Sequence, residues 1–298
     1  MKTSINYLPE QKRDDLRRIV ECVLEVLPDC EMIILYGSYA RNTYVDYDQR
    51  IEYGIRTCFM SDYDILVVTN TRFQRYIINH ILSKATDNYY KGKNRYASTT
   101  VQFIDESIDD LNKAIDKNRY FYTDIKREGI MLYNSGRYEL ARRRKLNYRE
   151  IKELAEEYYN DRFERANDFL RNAMYDKNDE RYKICSFHLH QACENYYNSI
   201  ILTFTLYSPK EHSLITLSGR AKTHSLESSE AFPRDTEEEK RLFDLLQDAY
   251  VQARYNLHFR VTKEDIEALI PKVELLRDIT RQCCEERIKV YAAKQRQV

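Results

Sequence analysis

The sequence predicts an α+β domain, a small mixed sheet with helices, followed by an all-α helical bundle. Three observations carry this reading. Short apolar runs ending in turn signals alternate with helical periodicity as far as Gly136. From about Asn147 onward, apolar residues recur only at helical spacing. Gly and Pro are scarce, 6 and 5 among 298 residues, which fits long regular elements and few wide loops. The length suits two domains, and we place them at 1–140 and 141–298.

In the first domain, Leu16, Ile19, Val20, Val23, Leu24 and Leu27 mark a helix before Pro28. Residues 32–36 form a short strand that stops at Gly37-Ser38. Residues 43–60 are polar and aromatic, fitting a loop or a small hairpin. Residues 63–69 are a strong strand, and Phe73, Tyr76, Ile77, Ile81 and Leu82 suggest a helix. Residues 98–104 read as a third strand. Leu111 and Ala114 belong to a helix, and Ile130 to Tyr133 to a last strand.

In the second domain, one long amphipathic helix carries Ile151, Leu154, Ala155, Tyr158, Tyr159, Phe163 and Ala166. A second spans about 180–206 and stops at Ser208-Pro209. A looser stretch holds His212, Gly219 and the polar run 223–236. A third helix covers about 235–255. Thr262 with Asp265 reads as a capping box that starts a fourth, with Pro271 as a kink point. Four helices with one long connection form a bundle. The run Arg142-Arg143-Arg144-Lys145 reads as a solvated junction.

Composition narrows the function classes. Lys plus Arg is 48 and Asp plus Glu is 48, so the formal net charge is zero. A basic excess, the usual footprint of a protein that grips a nucleic-acid backbone, is missing. The seven cysteines, Cys22, Cys30, Cys58, Cys185, Cys193, Cys283 and Cys284, contain no CxxC pair. Their odd count and scatter point to free thiols in a reducing cytoplasm, without a disulfide framework or zinc. The start MKTSINYLPEQKRDD lacks the apolar core of a signal peptide. No run approaches the ~18 apolar residues of a membrane span. We expect a soluble cytoplasmic protein. The 26 tyrosines read first as helix-packing and interface residues.

The chemistry concentrates in Leu35-Tyr36-Gly37-Ser38-Tyr39-Ala40-Arg41 and Ser61-Asp62-Tyr63-Asp64-Ile65-Leu66. Alternation along a strand puts Asp62 and Asp64 on one face. Two adjacent carboxylates beside a core are costly unless neutralised, and a divalent metal is the natural counter-charge. Mg²⁺ takes one or two carboxylates together with phosphate oxygens and water. Gly37 lets main-chain amides approach an anion, and Ser38 adds a hydroxyl donor. Either piece alone reads equally well as a turn or an exposed strand start. Both in this order point to a metal and a triphosphate.

GSYAR followed by SDYDILVV resembles the signature of the DNA polymerase beta-like nucleotidyltransferases, especially the minimal and kanamycin-type antibiotic members, over about residues 10–135. The resemblance implies that Gly37 and Ser38 contact the triphosphate, that Asp62 and Asp64 bind Mg²⁺, and that Arg41 is a phosphate contact. Two departures stand out. The segment between Ser38 and Asp62 is long and contains Tyr44, Asp46, Asp48, Glu52 and Tyr53, consistent with an inserted hairpin beside the site. The third carboxylate, which in this family helps activate the acceptor hydroxyl, has two candidate positions on strand 98–104. Gln102 in mid-strand cannot act as a base. Asp105 at the strand's end is the candidate base, with a loop or helix-start role as the competing reading.

The helical half resembles the HEPN domain over about 147–290. The resemblance rests on His190-Gln191-Ala192-Cys193-Glu194, on Ser208-Pro209-Lys210-Glu211-His212-Ser213-Leu214, and on Ala253-Arg254-Tyr255. The layout is similar to two-domain bacterial proteins that fuse such a transferase to a HEPN bundle. Many HEPN domains are ribonucleases with an Arg, four to six residues and a His, paired across a dimer. Here Arg254 and His258 enclose only three residues, and Arg260 stands where toxin-type members carry a Tyr. His258 then reads equally as a polar residue at a helix end. His188 and His190 read as packing or hydrogen-bonding groups, and His212 as a turn residue.

The leading expectation is an enzyme that moves a nucleoside monophosphate, AMP first among them, from ATP or another nucleoside triphosphate to an acceptor hydroxyl. The acceptor is open among a protein tyrosine, a small polyhydroxylated molecule and an RNA end. The helical domain shapes the acceptor site or a homodimer, and no membrane partner is expected. The alternatives are a nucleotide-binding sensor or scaffold without turnover, and a HEPN-type ribonuclease regulated by the first domain.

Overall fold

A computed structural model describes residues 1–52, 55–94, 98–142, 144–208 and 211–296. The chain divides into two compact units, Met1–Lys145 and Leu146–Val298.

In the first unit, α1 (Glu10–Val26) buries Leu16, Ile19 and Val23 at three- and four-residue spacing. It leads to β1 (Cys30–Tyr36), which runs straight into the short α2 (Gly37–Arg41). Then comes an antiparallel hairpin, β2 (Asp48–Glu52) with β3 (Ile55–Phe59). Tyr53 and the side chains of Asp48 and Glu52 lie outside the described residues. β4 (Tyr63–Thr69), α3 (Arg75–Tyr90), β5 (Val101–Ser107), α4 (Ile108–Asp116), α5 (Tyr120–Glu128) and β6 (Ile130–Asn134) complete the unit.

Four strands form one mixed sheet in the order β5-β4-β1-β6. β4 and β5 are parallel, whereas β1 pairs antiparallel with both β4 and β6. The two-residue period divides the apolar residues between two layers. Ile33, Leu35, Ile65 and Val67 pack with Ile19 of α1 and with Ile78 and Leu82 of α3. Met32, Ile34, Leu66 and Val68 pack with Ile108 and Leu111 of α4 and Ile125 of α5. Both faces are covered, which is why β1 and β4 read as unbroken apolar runs.

Two elements differ from the sequence reading. β5 starts and ends three residues later than 98–104. Thr99 is engaged outside the ladder, where its hydroxyl accepts from Lys12 Nζ at 2.9 Å and its carbonyl from Tyr89 Oη at 3.2 Å. At the far end, Ser107 caps α4 by accepting from the Asp110 amide at 3.1 Å. α5 is absent from the sequence reading, because its start, Tyr120-Phe121-Tyr122, hides the helical spacing of the residues that pack on the second layer.

The helical unit comprises α6 (Tyr148–Asn178), α7 (Tyr182–Thr205), α8 (Leu214–Lys222), a 3₁₀ turn at Leu226–Ser229, α9 (Glu237–Tyr255) and α10 (Lys263–Gln295). Capping boxes open three helices, at Asn147 with Glu150, Thr236 with Glu239, and Thr262 with Asp265. α7 is the centre of the bundle, and Cys185, Leu189, Cys193, Tyr196, Tyr197 and Ile200 are buried on its several sides. α10 continues through Pro271. α7 ends at Leu206, which adopts a left-handed φ of 58°, so the helix stops before Ser208-Pro209. The stretch read as loose holds α8. Pro209, Lys210 and Arg143 lie outside the described residues. Arg144 of the junction run pairs with Asp116 at 2.8 Å. The six cysteines with described side chains are free thiols, and Cys58 lies outside that set. Among the described residues, no helix is long and apolar enough to cross a membrane.

Candidate active site

The start of β4 carries the pattern the sequence suggested. Ser61 and Tyr63 are buried, while Asp62 and Asp64 are half-buried. The two carboxylates therefore share the face of Leu66 and Val68, at the end of the sheet where that face opens. The ladder sets their neighbours. Asp64 lies between Tyr36 of β1 and Gln102 of β5. Two rungs outward, the Thr100 hydroxyl donates to Asp62 Oδ1.

Gly37 meets this pair at very short range. Its φ is +73°, a region that L side chains rarely adopt, and an added Cβ would lie 1.9 Å from Asp64 Oδ2 and 2.8 Å from its Cγ. Only glycine fits. The fold thus brings Gly37-Ser38 against Asp62-Tyr63-Asp64, and Ser38 is half-buried. Tyr36 stands beside them. Burial, with the Asp64 carboxylate adding to it, pushes its phenol up to about 12, so it stays a protonated donor.

The other face holds the two pieces in place. Tyr39 follows Ser38 and Tyr63 separates the two acids. Both rings are fully buried, with centroids 4.5 Å apart. Tyr44 stacks on Tyr39 at 4.2 Å. The Tyr63 hydroxyl donates to Asp15 Oδ2 of α1 at 3.2 Å, and Tyr7 Oη donates to the Tyr39 carbonyl at 2.6 Å. Lys12, also on α1, bonds Thr99 and pairs with Asp46 at 2.5 Å. Burial works against the Lys12 charge, but Asp46 and Tyr39 outweigh it and raise its pKa. An aromatic clamp anchored on α1 therefore fixes the spacing of residues that are distant in sequence. Sequence reasoning missed Tyr36, Tyr39, Tyr63 and Thr100. Their only signal was a position one or two residues from the motif, where strand alternation assigns a partner face.

Two expected residues are placed differently. Arg41 Nη1 lies 3.8 Å from Glu128 Oε2, so it is already paired. Asp105 is inside β5 and pairs with Val67, three rungs from Asp64. By alternation it sits on the opposite face, because Gln102 and Ile104 share the Asp64 face. The fold does not bring Asp105 to the carboxylate pair, because it lies three residues beyond Gln102 along β5 and so on the opposite face. Glu106 is on the Asp64 face but opposite Val68, and it accepts from Tyr122 Oη at 2.5 Å.

Among the described residues, no group of three His, Cys, Asp or Glu side chains is arranged to hold a metal ion. The donor set is two carboxylates, with the Gly37 main chain in close contact with the second. That set fits Mg²⁺, which draws its other ligands from phosphate and water, and does not fit an all-protein cage.

In the helical unit, Arg254 is exposed at the end of α9. Its guanidinium lies 4.2 Å from the Tyr250 ring centroid, and Nε donates to the Tyr250 carbonyl at 2.6 Å. His258 is exposed in the following loop, its amide bonded to Asn256 Oδ1 at 2.8 Å. His188 Nδ1 meets the buried Asp176 at 2.5 Å. His212 Nδ1 lies 3.0 Å from Glu194 Oε1, and the His212 ring stacks on Tyr250 at 4.9 Å. His190 is fully buried and stacks on the same Tyr250 ring at 5.1 Å. Burial first, then His212 and Arg254, pull its pKa down to about 3, so it is neutral.

The sequence finds no match among curated proteins. Among solved structures, the spectinomycin adenyltransferase AAD(9) from Enterococcus faecialis, solved with ATP and spectinomycin, is similar over 90% of this chain and 99% of that one. The identity is 9% and the TM-score 0.38, too loose a likeness to assign a role to any residue. The HEPN domain model matches residues 159–283, from the middle of α6 into α10. The helical unit accordingly carries a HEPN domain.

Proposed function

We propose that the first unit is a DNA polymerase beta-like nucleotidyltransferase, dependent on Mg²⁺, that moves AMP from ATP to an acceptor hydroxyl. The reading is carried by one observation: Gly37, in a conformation and a space that only glycine fits, lies against the Asp64 carboxylate. Asp62 shares its face. Asp62 and Asp64 would hold Mg²⁺, which when bound supplies positive charge to the phosphate oxygens. Gly37 makes room for the Asp64 carboxylate beside the turn, and the Ser38 hydroxyl would donate to those oxygens. The acceptor oxygen forms a bond to the α-phosphorus as the bond to pyrophosphate breaks. Pyrophosphate leaves, and the acceptor proton passes to solvent. Arg41 reaches phosphate in this scheme by releasing Glu128. Asp105 has no part in it. In the same proposal the helical domain shapes the acceptor site or a homodimer, and the acceptor is a protein tyrosine, a small polyhydroxylated molecule or an RNA end.

Gln102, an amide on the rung of Asp64, favours a second reading: a sensor that binds nucleotide and does not turn it over. Labelled ATP with Mg²⁺ separates the two. Pyrophosphate release or self-labelling by the parent protein, absent from the Asp62→Ala/Asp64→Ala variant, is the expected result. Metal-dependent binding without turnover selects the sensor. No binding of any of the four triphosphates sinks both.

A further inference from the structure

At the start of β4, the neighbours that β5 and the residue before it supply to the two carboxylates carry no charge. Asp62 receives the Thr100 hydroxyl, and Asp64 lies beside Gln102. Gln102 is exposed, so its amide is free to reach the same space as the Asp64 carboxylate. A pair of divalent cations spaced for in-line displacement, roughly 3.5–4 Å apart, needs a shared carboxylate and further anionic ligands for the outer ion. An amide oxygen is neutral, so it holds a divalent cation more weakly than a carboxylate does and cannot offset its charge. The Thr100 hydrogen bond also occupies one oxygen of Asp62. Two carboxylates with phosphate oxygens and water satisfy one Mg²⁺ and leave the second ion little beyond water.

We propose that this site takes one divalent cation per bound nucleotide, and that Gln102 is the residue that excludes the second. The proposal rests on the nucleotidyltransferase reading of Asp62 and Asp64. Gln102 instead offers a hydrogen-bond donor and acceptor to the incoming acceptor oxygen, whose proton leaves without help from a carboxylate on β5. Replacing the amide by a carboxylate supplies both the missing ligand and a base.

Mn²⁺ binding followed by electron paramagnetic resonance, in the presence of α,β-methylene-ATP, counts the ions without any turnover. The expected result is one Mn²⁺ per protein–nucleotide complex in the parent and two in Gln102→Glu. Thermal melting checks that the exposed substitution leaves the fold intact. With ATP and a competent acceptor, Gln102→Glu raises turnover by roughly 10²-fold, the low end of what a positioned base contributes. Two Mn²⁺ in the parent overturn the proposal. So does one Mn²⁺ in both proteins. A parent that binds neither Mn²⁺ nor the analogue shows a different pattern, and that pattern removes the underlying nucleotide reading as well.

Discussion

The two units handle polar side chains in opposite ways. In the first, the polar residues of interest gather at the open end of a sheet, where Asp62 and Asp64 are half-buried and share one face. In the second, polar residues run through the middle of the central helix. His190, Asn195, Asn198, Ser199 and Thr203 are all buried in α7. Several of them bond their own surroundings: Thr203 Oγ1 donates to the Ser199 carbonyl at 2.7 Å, and Asn195 Nδ2 to the Gln191 carbonyl at 2.8 Å. Others are sealed in without a partner: His190 Nε2, Asn198 Oδ1 and Ser199 Oγ are buried and make no hydrogen bond among the described residues, a cost that packing around them must offset. A charged pair at the mouth of a sheet stays partly open to solvent and can be satisfied by a ligand. The difference teaches that position in the architecture separates a structural histidine from a candidate site carboxylate better than residue type does.

The sharpest way to break this contrast is Gly37→Ala. The new methyl has no space beside Asp64 and must displace the carboxylate. We expect metal-dependent turnover to fall by roughly 10²-fold or more, and the melting temperature to fall as well, because the positive φ and the contact with Asp64 both strain an L side chain. Steady-state kinetics alongside a melting curve measure both. An active Gly37→Ala protein removes the link between the two motif halves.

Next in size is a pH effect confined to the helical unit. His190 is neutral in the fold, with its pKa lowered from 6.5 to about 3. Between these values the unfolded chain binds a proton that the folded protein refuses, so stability drops as pH falls below about 6.5. The slope is about 1.4 kcal/mol per pH unit from this group. Urea unfolding of the helical unit at pH 7 and pH 5 measures it, and His190→Asn flattens it. An unchanged slope in that variant transfers the effect to other groups.

Tyr63→Phe sharpens the account of the clamp. Losing the hydrogen bond to Asp15 costs about 1 kcal/mol in urea unfolding, and the half-saturating Mg²⁺ concentration rises because Asp62 and Asp64 flank the altered residue. Lower stability with unchanged metal dependence makes the clamp a packing feature alone. The smallest effect belongs to the exposed end of α9, where Arg254→Ala and His258→Ala each shift stability within about 0.5 kcal/mol. Neither alters ATP turnover by the first unit. A loss of ATP turnover in either variant ties that end of the helical unit to the chemistry.

The elements that were legible in the sequence are those whose pattern is local. β4 announces itself by an apolar run behind Asp-Tyr-Asp, and α10 by Thr262 with Asp265, because a capping box spans only four residues. α5 was hidden because aromatic residues at its start mask the helical period. The misplaced start of β5 had the largest consequence. Thr99 is β-prone, yet Lys12 and Tyr89, both far away in the chain, engage it, and no window on residues 98–104 contains them. Asp105 reads as the strand's end in the sequence, whereas it lies within β5, three residues beyond Gln102 and therefore on the opposite face. The site was therefore visible where two residues on one strand define it, and invisible where a long-range contact sets the register.

Gly37 and Gly136 show how differently two similar glycines constrain change over generations. Both hold a positive φ, +73° and +77°. Around Gly136 nothing lies within 4 Å of an added Cβ, so a saturation library recovers Asn and Asp there, the residues that tolerate a left-handed backbone. At Gly37 the obstacle is Asp64 itself. Every one of the nineteen replacements enters the same occupied space, on a backbone that already strains an L side chain. On the proposed nucleotidyltransferase reading, a lineage that abandons the carboxylate loses one of the two obstacles to replacing the glycine, and drift at both positions together becomes the genetic mark of a copy that no longer turns over nucleotide.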